Sequence, residues 1–190
     1  MNNKIICIVG MPGSGKSTVA DEIAKQKFTY LRFGQIVLDK IKEKGLKPNE
    51  KNERKIREEI RKKYGMAAFA ILNILKIDEL LKKFNVVVDG LYSWSEYRIL
   101  KKKYGKKMLV LAVYAPPEMR YARLTNRSIR GDKNQRFRNF TKKEAEARDY
   151  AEIENSEKGG PIAMADLTII NTGTIKELKQ KVKDILKAIK

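Results

Sequence analysis

The sequence predicts an α/β fold in which helices cover a parallel sheet, and three observations predict it. Short apolar runs such as Ile5-Ile6-Cys7-Ile8-Val9 and Val86-Val87-Val88 read as strands buried on both faces. Longer stretches of helical period lie between them, so strand and helix alternate and right-handed crossovers follow. Each cluster of candidate functional residues comes just after an apolar run, where open α/β sheets bind ligands.

The first run leads into Gly10-Met11-Pro12-Gly13-Ser14-Gly15-Lys16-Ser17, a complete G-x-x-x-x-G-K-[ST] phosphate-binding loop. Glycines let backbone N–H groups turn inward on a phosphate chain, and the following helix start adds positive field. That helix is expected over residues 17–25, with Val19, Ala20, Ile23 and Ala24 on one face. Lys16 is expected to reach the β- and γ-phosphates of a nucleotide, and the Ser17 hydroxyl to ligate Mg²⁺.

Phe28 to Phe33 reads as a second strand, and Gly34 closes it in a turn. Ile36, Val37, Lys40, Ile41 and Lys44 continue as a helix stopped by Gly45 and Pro48. Asn49 caps a charged helix to about Tyr64, and a more apolar helix spans 66–83. Glu53 with Arg57, Glu58 with Lys62 and Glu59 with Lys63 are spaced four apart, as on a solvated surface. Residues 35–84 thus form a helical insertion between strands two and three. Val86 to Val88 ends in Asp89-Gly90, a helix follows near 95–104, and Leu109 to Tyr114 is the next strand. Pro116-Pro117 starts a helix carrying Arg120, Arg123 and Arg127. Residues 127–140 lack apolar periodicity and are dense in Arg, as in an exposed loop that closes over phosphates; we take 127–148 as a lid. Thr141-Lys142-Lys143-Glu144 and Thr174-Ile175-Lys176-Glu177 are capping boxes that open two further helices. Leu167 to Ile170 is the fifth strand. Ile175, Leu178, Val182, Ile185 and Ile189 give the last helix its apolar face.

Composition narrows the chemistry. At 190 residues the chain is expected to form one domain, 1–190. Its 42 Lys+Arg against 23 Asp+Glu suit a polyanionic ligand and permit nucleic-acid binding without requiring it. There is no histidine, so catalytic triads and His metal sites are excluded. One cysteine, Cys7, in a buried strand rules out an internal disulfide and points to a reducing, cytoplasmic setting. The N-terminus has no secretory pattern, and no apolar stretch is long enough for a membrane span.

Transfer of a γ-phosphoryl group needs in-line positioning, Mg²⁺ across the phosphates and further positive charge on the moving group. Asp89, just after a strand, is the expected Mg²⁺-side carboxylate. Arg127 and Arg130 are the expected lid cations, with Arg123, Arg136, Arg138 and Arg148 as further candidates.

With the loop, the inserted helices, Val86-Val87-Val88-Asp89-Gly90, the arginine helix and Ala165-Asp166-Leu167-Thr168-Ile169-Ile170-Asn171-Thr172-Gly173-Thr174, the chain resembles the nucleoside-monophosphate kinase superfamily. More closely, it is similar to the small archaeal adenylate kinase-related P-loop family, often labelled dephospho-coenzyme A kinase-like. Residues Arg61, Ser93, Glu96, Pro117-Glu118, Arg120, Arg148-Asp149 and Asn171-x-Gly173 carry that closer likeness. The resemblance implies the three-layer P-loop NTPase fold, with a five-stranded parallel sheet in the order 2-3-1-4-5 and a lid. It implies ATP phosphates on Gly13 to Thr18, lid closure by Arg127 and Arg130, and a purine between Arg123 and the turn Asn171, Gly173, Thr174. It makes Arg32, Gly34 and Arg61 candidates for the acceptor. Two departures fall on the acceptor side: Gly34-Gln35-Ile36-Val37-Leu38 stands where such kinases have Gly-Asp-x-x-Arg, and Leu91-Tyr92 replaces Ile-Arg.

The expected activity is Mg²⁺- and ATP-dependent phosphoryl transfer, with a nucleoside monophosphate as acceptor and ATP, ADP or AMP as nucleotide ligands. The alternatives are hydroxyl phosphorylation of the dephospho-coenzyme A kinase kind, with Asp89 as base, and a nucleotide-dependent, nucleic-acid-binding or regulatory ATPase.

Overall fold

Residues 3–127 and 139–189 are described by the computed structural model. Strands β1 (Ile5–Val9), β2 (Phe28–Arg32), β3 (Asn85–Asp89), β4 (Met108–Tyr114) and β5 (Leu167–Ile170) pair in parallel in the order β2-β3-β1-β4-β5. β1 lies at the centre, with Ile8 opposite Asp89 on one side and Leu111 on the other. All five residues of β1 are buried, as their unbroken apolar run requires.

Nine helices occur among the described residues: α1 (Lys16–Ala24), α2 (Gln35–Glu43), α3 (Glu50–Tyr64), α4 (Ala68–Leu81), α5 (Trp94–Tyr104), α6 (Pro117–Thr125), α7 (Lys142–Glu154), α8 (Gly159–Ala163) and α9 (Ile175–Ala188). The period of two in β1 splits its side chains between two cores. Ile6 and Ile8 pack with Val19 and Ile23 of α1 and Leu178, Val182 and Leu186 of α9. Ile5, Cys7 and Val9 pack on the other face, where α2 to α5 contribute Val37, Ile60, Ile77 and Leu100. A small third cluster joins Tyr121 and Leu124 of α6 to Phe140 and Ala145. No helix of the described residues is long and apolar enough to cross a membrane.

Local chemistry sets the helix ends. Asn49 accepts from the Asn52 N–H at the start of α3, and both capping boxes form, at Thr141 with Glu144 and at Thr174 with Glu177. Three details differ from expectation. Glu58 pairs with Arg54 and Glu59 with Lys44, at the C-terminal end of α2, in place of Lys62 and Lys63. Ile175, at the first turn of α9, is 66% exposed, and Leu186 is buried in the core beneath that helix. Of the expected lid, residues 128–138 lie outside the described residues, and 142–148 are the first half of α7.

Candidate active site

The phosphate loop turns at glycines that other residues would strain. Gly10, Gly13 and Gly15 have φ of 142°, 77° and 103°. A Cβ on Gly13 would stand 2.6 Å from the backbone oxygen of Arg120, so α6 packs directly on the loop. Arg120 fixes that contact. Its buried guanidinium donates to Ala115 O at 3.0 Å and Pro12 O at 3.1 Å, and it pairs with Asp149 of α7 at 2.5 Å. Tyr121 adds a hydroxyl bond to the same Asp149 at 3.1 Å. From the other side, Asn171 donates to Ser14 O at 2.8 Å. Clamped between α6 and the end of β5, the loop is pre-shaped for an anion. Ser14 Oγ is buried with no hydrogen-bond partner among the described residues.

Lys16 folds back on the loop, donating to Met11 O at 2.9 Å. Burial, and next the charge of Lys158, push its ammonium down to about 7. Such a lysine gains much from a phosphate. Ser17 Oγ lies 3.1 Å from Asp89 Oδ2, and Tyr30 of β2 donates to the same oxygen at 2.7 Å. Two hard oxygen groups at a helix N-terminus beside a phosphate loop fit one Mg²⁺ that takes its other ligands from water and phosphates.

Strand ends and helices enclose a cleft of about 150 Å³ that includes Lys16, Ser17, Thr18, Arg32, Asp89, Arg127, Arg148, Glu152 and Lys158 in its walls. Its two sides differ. On the β4–β5 side, Arg123 donates to the Asn171 carbonyl at 2.9 Å, so the two expected purine neighbours are in contact. Gly173 and Thr174 shape the capped start of α9, where a Cβ on Gly173 would collide with Glu177. On the β2–β3 side, Tyr92 places its hydroxyl against Gly34 and Gly90. Arg61 is set back from the cleft wall, its guanidinium 5.7 Å above the Phe69 ring and its Nε buried with no hydrogen-bond partner among the described residues. Arg130 lies outside the described residues, as do Arg136 and Arg138.

Sequence reasoning gave Arg148 only a minor place, and Glu152, Lys158, Tyr30 and the Arg120–Asp149 pair none in the site. Arg148 bonds Glu152 at 3.1 Å and reaches Glu50 of α3 at 3.2 Å, while Arg57 holds the other oxygen of Glu50 at 2.5 Å. Lys158, 1% exposed, pairs with Glu152 and stands 5.4 Å from the centre of the Tyr92 ring. Burial opposes the Glu152 charge, but Lys158, Arg148 and Lys16 hold its carboxyl well below the usual carboxylate range. Burial likewise opposes the Arg148 charge, and Glu152 with Glu50 outweighs it. The adjacency Arg148-Asp149 and the i, i+4 spacing of Arg148 and Glu152 were the only sequence signals for this network. Nearby, Glu96 is fully buried at the start of α5. It accepts from the Tyr92 N–H at 2.7 Å, and burial raises its carboxyl to about 7.

Comparison with known proteins agrees with this construction. Residues 6–162 match the family described as AAA domain. A UPF0200 protein of Thermococcus gammatolerans is 35% identical over 187 residues, covering 97% of this chain and 95% of that protein. One of Sulfurisphaera tokodaii is 35% identical over 188 residues, covering 98% and 97%. Among solved structures, a shikimate kinase from Acinetobacter baumannii in complex with shikimate superposes with TM-score 0.57 at 21% identity, covering 99% of this chain and 95% of that one. A gluconokinase from Sinorhizobium meliloti gives TM-score 0.58 at 14% identity, covering 99% and 93%. These two share the fold. By the extent and identity of the sequence matches, the chain belongs to the AAA domain family of P-loop proteins and, within it, to the archaeal UPF0200 group.

Proposed function

We propose that this protein is an ATP-dependent small-molecule phosphotransferase of nucleotide-kinase type, related to adenylate kinases, that moves the γ-phosphoryl group to a phosphorylated acceptor, first a nucleoside monophosphate. The observation that carries the reading is the meeting of Lys16, Ser17 and Asp89 in one cleft beside the phosphate loop. The β4–β5 side, with Arg123 against Asn171, suits a planar base read largely by backbone. The β2–β3 side, where Arg32, Tyr92 and Glu53 of α3 line the cleft, suits a second, smaller ligand.

In this reading the loop N–H groups and Lys16 hold the donor phosphates, and Arg127 with Arg130 closes on the transferring group. Ser17 and Asp89 would hold Mg²⁺, which would supply charge neutralisation to the phosphates. Tyr30 keeps the Asp89 carboxylate aimed at Ser17. Arg32 borders the acceptor side, where Gly34 leaves room for the Tyr92 hydroxyl; Arg61 lies over the Phe69 ring, which packs edge-on against Tyr92. A phosphate acceptor is already ionised and needs no general base.

A hydroxyl acceptor is the second reading. Asp89 sits where it could take a proton, and one fold neighbour is a kinase bound to shikimate, which carries no phosphate. Replacing Asp89 with Asn and measuring transfer to nucleoside monophosphates and to hydroxyl acceptors separates the two. Loss confined to hydroxyl acceptors supports the second reading; transfer only to monophosphates in the parent protein supports the first.

A further inference from the structure

The cleft holds a buried cation that neither the phosphate loop nor the lid explains. Lys158 follows α7 in a turn where Glu157 takes φ 50°, a left-handed conformation unfavourable for a non-glycine residue. That turn delivers the Lys158 ammonium to the wall of the cleft, 1% exposed, beside Arg148. Both belong to the β2–β3 side. Lys158 stands over the Tyr92 ring, whose hydroxyl abuts Gly34, and Arg148 reaches Glu50 at the start of α3.

Their carboxylate partners are shared. Glu152 serves both Lys158 and Arg148, and Glu50 serves both Arg148 and Arg57. Alternating charges of this kind hold the two cations in place without cancelling them. An ammonium has three N–H groups; Glu152 takes one, and capacity remains for a ligand. Among the cleft-lining side chains of the described residues, Lys16, Arg32, Arg127, Arg148 and Lys158 are cationic and Glu53, Asp89 and Glu152 acidic. Cations outnumber acids there, which suits anionic ligands.

We infer that Lys158, steered by Glu152 and flanked by Arg148, is the ligand for the acceptor's phosphomonoester, filling the role left vacant by the arginine missing after Gly34. This assignment rests on the proposed phosphorylated acceptor. Glu152 is the positioning residue of the pair, and Lys158 makes the contact. A direct bond from an ammonium to a phosphate is worth about 1.5–3 kcal/mol, roughly tenfold to hundredfold in affinity.

The test is calorimetric titration of the full chain, saturated with Mg·ADP, with nucleoside 5′-monophosphates, the matching nucleosides and inorganic phosphate. Lys158→Met is compared with Lys158→Arg and Glu152→Gln, and thermal unfolding confirms that each variant folds. The expected result is monophosphate affinity lowered about tenfold to hundredfold in Lys158→Met, partly restored in Lys158→Arg, with nucleoside and Mg·ADP binding unchanged within about threefold. Equal weakening of monophosphate and Mg·ADP, or no weakening of either, overturns the assignment and leaves Lys158 as a structural ion pair. If the parent protein binds no monophosphate, the kinase reading of the acceptor falls. Inorganic phosphate then decides on Lys158 separately: binding that is lost in Lys158→Met keeps the anion site, and its absence in the parent protein removes it. Should Lys158→Met not fold, Lys158→Arg and Glu152→Gln carry the comparison, and unchanged monophosphate affinity in both contradicts the proposal.

Discussion

Arg120 offers the sharpest stability test because one buried side chain ties three segments together. Its guanidinium and Asp149 are 5% and 7% exposed, and its remaining bonds go to Ala115 O and Pro12 O. Among the described residues, Arg120→Met leaves a buried carboxylate with only the Tyr121 hydroxyl as hydrogen-bond partner, together with two carbonyls stripped of the Arg120 donor. Removing one member of such a pair costs about 3–5 kcal/mol. For a chain of this length each kcal/mol moves Tm by about 2–4 °C, so a fall of roughly 6–20 °C is expected. Replacing both members, Arg120→Met with Asp149→Leu, removes the stranded charge and should recover more than half of the loss. Urea unfolding of the parent, both single variants and the double variant closes the cycle, with a coupling of about 1.5 kcal/mol or more. Nucleotide affinity should stay low even in the double variant, because the Arg120 bond to Pro12 O is then lost. A cost below about 1 kcal/mol for Arg120→Met, or strictly additive losses, refutes the reasoning.

Three further outcomes follow from the site. Lys16 is held at about 7 in the free protein, and a bound polyphosphate raises it, so nucleotide binding should take up close to one proton at about pH 8.5 and almost none from this group at about pH 5.5. Calorimetry in buffers of different ionisation enthalpy reads this directly, and the same uptake in Lys16→Met would contradict it. Glu96, raised from 4.5 to about 7, binds more protons folded than unfolded between those values, so its contribution is complete below about pH 4.5 and is lost as pH rises through about 7. Glu96→Gln, which can still accept from the Tyr92 N–H, should flatten that slope and stabilise the protein at about pH 8; an unchanged pH–stability curve counts against the assignment. Gly13→Ala should cost clearly more than Gly105→Ala. Both have positive φ, 77° and 52°, but only Gly13 faces backbone at 2.6 Å, whereas nothing lies within 4 Å of a Cβ on Gly105. Equal losses in Tm would remove the clash from the account.

Patterns close in sequence were legible before the structure. The run Ile5 to Val9 and the loop after it fix a strand, a turn and a helix start, because apolar continuity and glycine spacing are local constraints. The two capping boxes form as written for the same reason. Strand order came with the family likeness, since apolar runs alone do not say which strand lies next to which. Contacts fixed by packing stayed hidden. Tyr30 reads as a half-buried strand residue until β2 is laid beside β3 and its hydroxyl meets Asp89. Glu152 and Lys158 look like members of a solvated helix and its end, in a chain with many such charges, until α7 places them against the cleft. Helix α3 shows the same limit from the other direction. Its charges pair as a surface helix should, but Glu59 takes Lys44 from the end of the neighbouring helix, and Glu50 takes Arg148 from α7.

The account stands most directly on γ-phosphoryl transfer from Mg·ATP, measured across nucleoside monophosphates, dephospho-coenzyme A, shikimate and buffer alone, with the product identified. Transfer to a nucleoside monophosphate, giving the diphosphate, is the result expected from the proposed acceptor side. Transfer only to a hydroxyl compound, or slow hydrolysis with no acceptor phosphorylated, would contradict it.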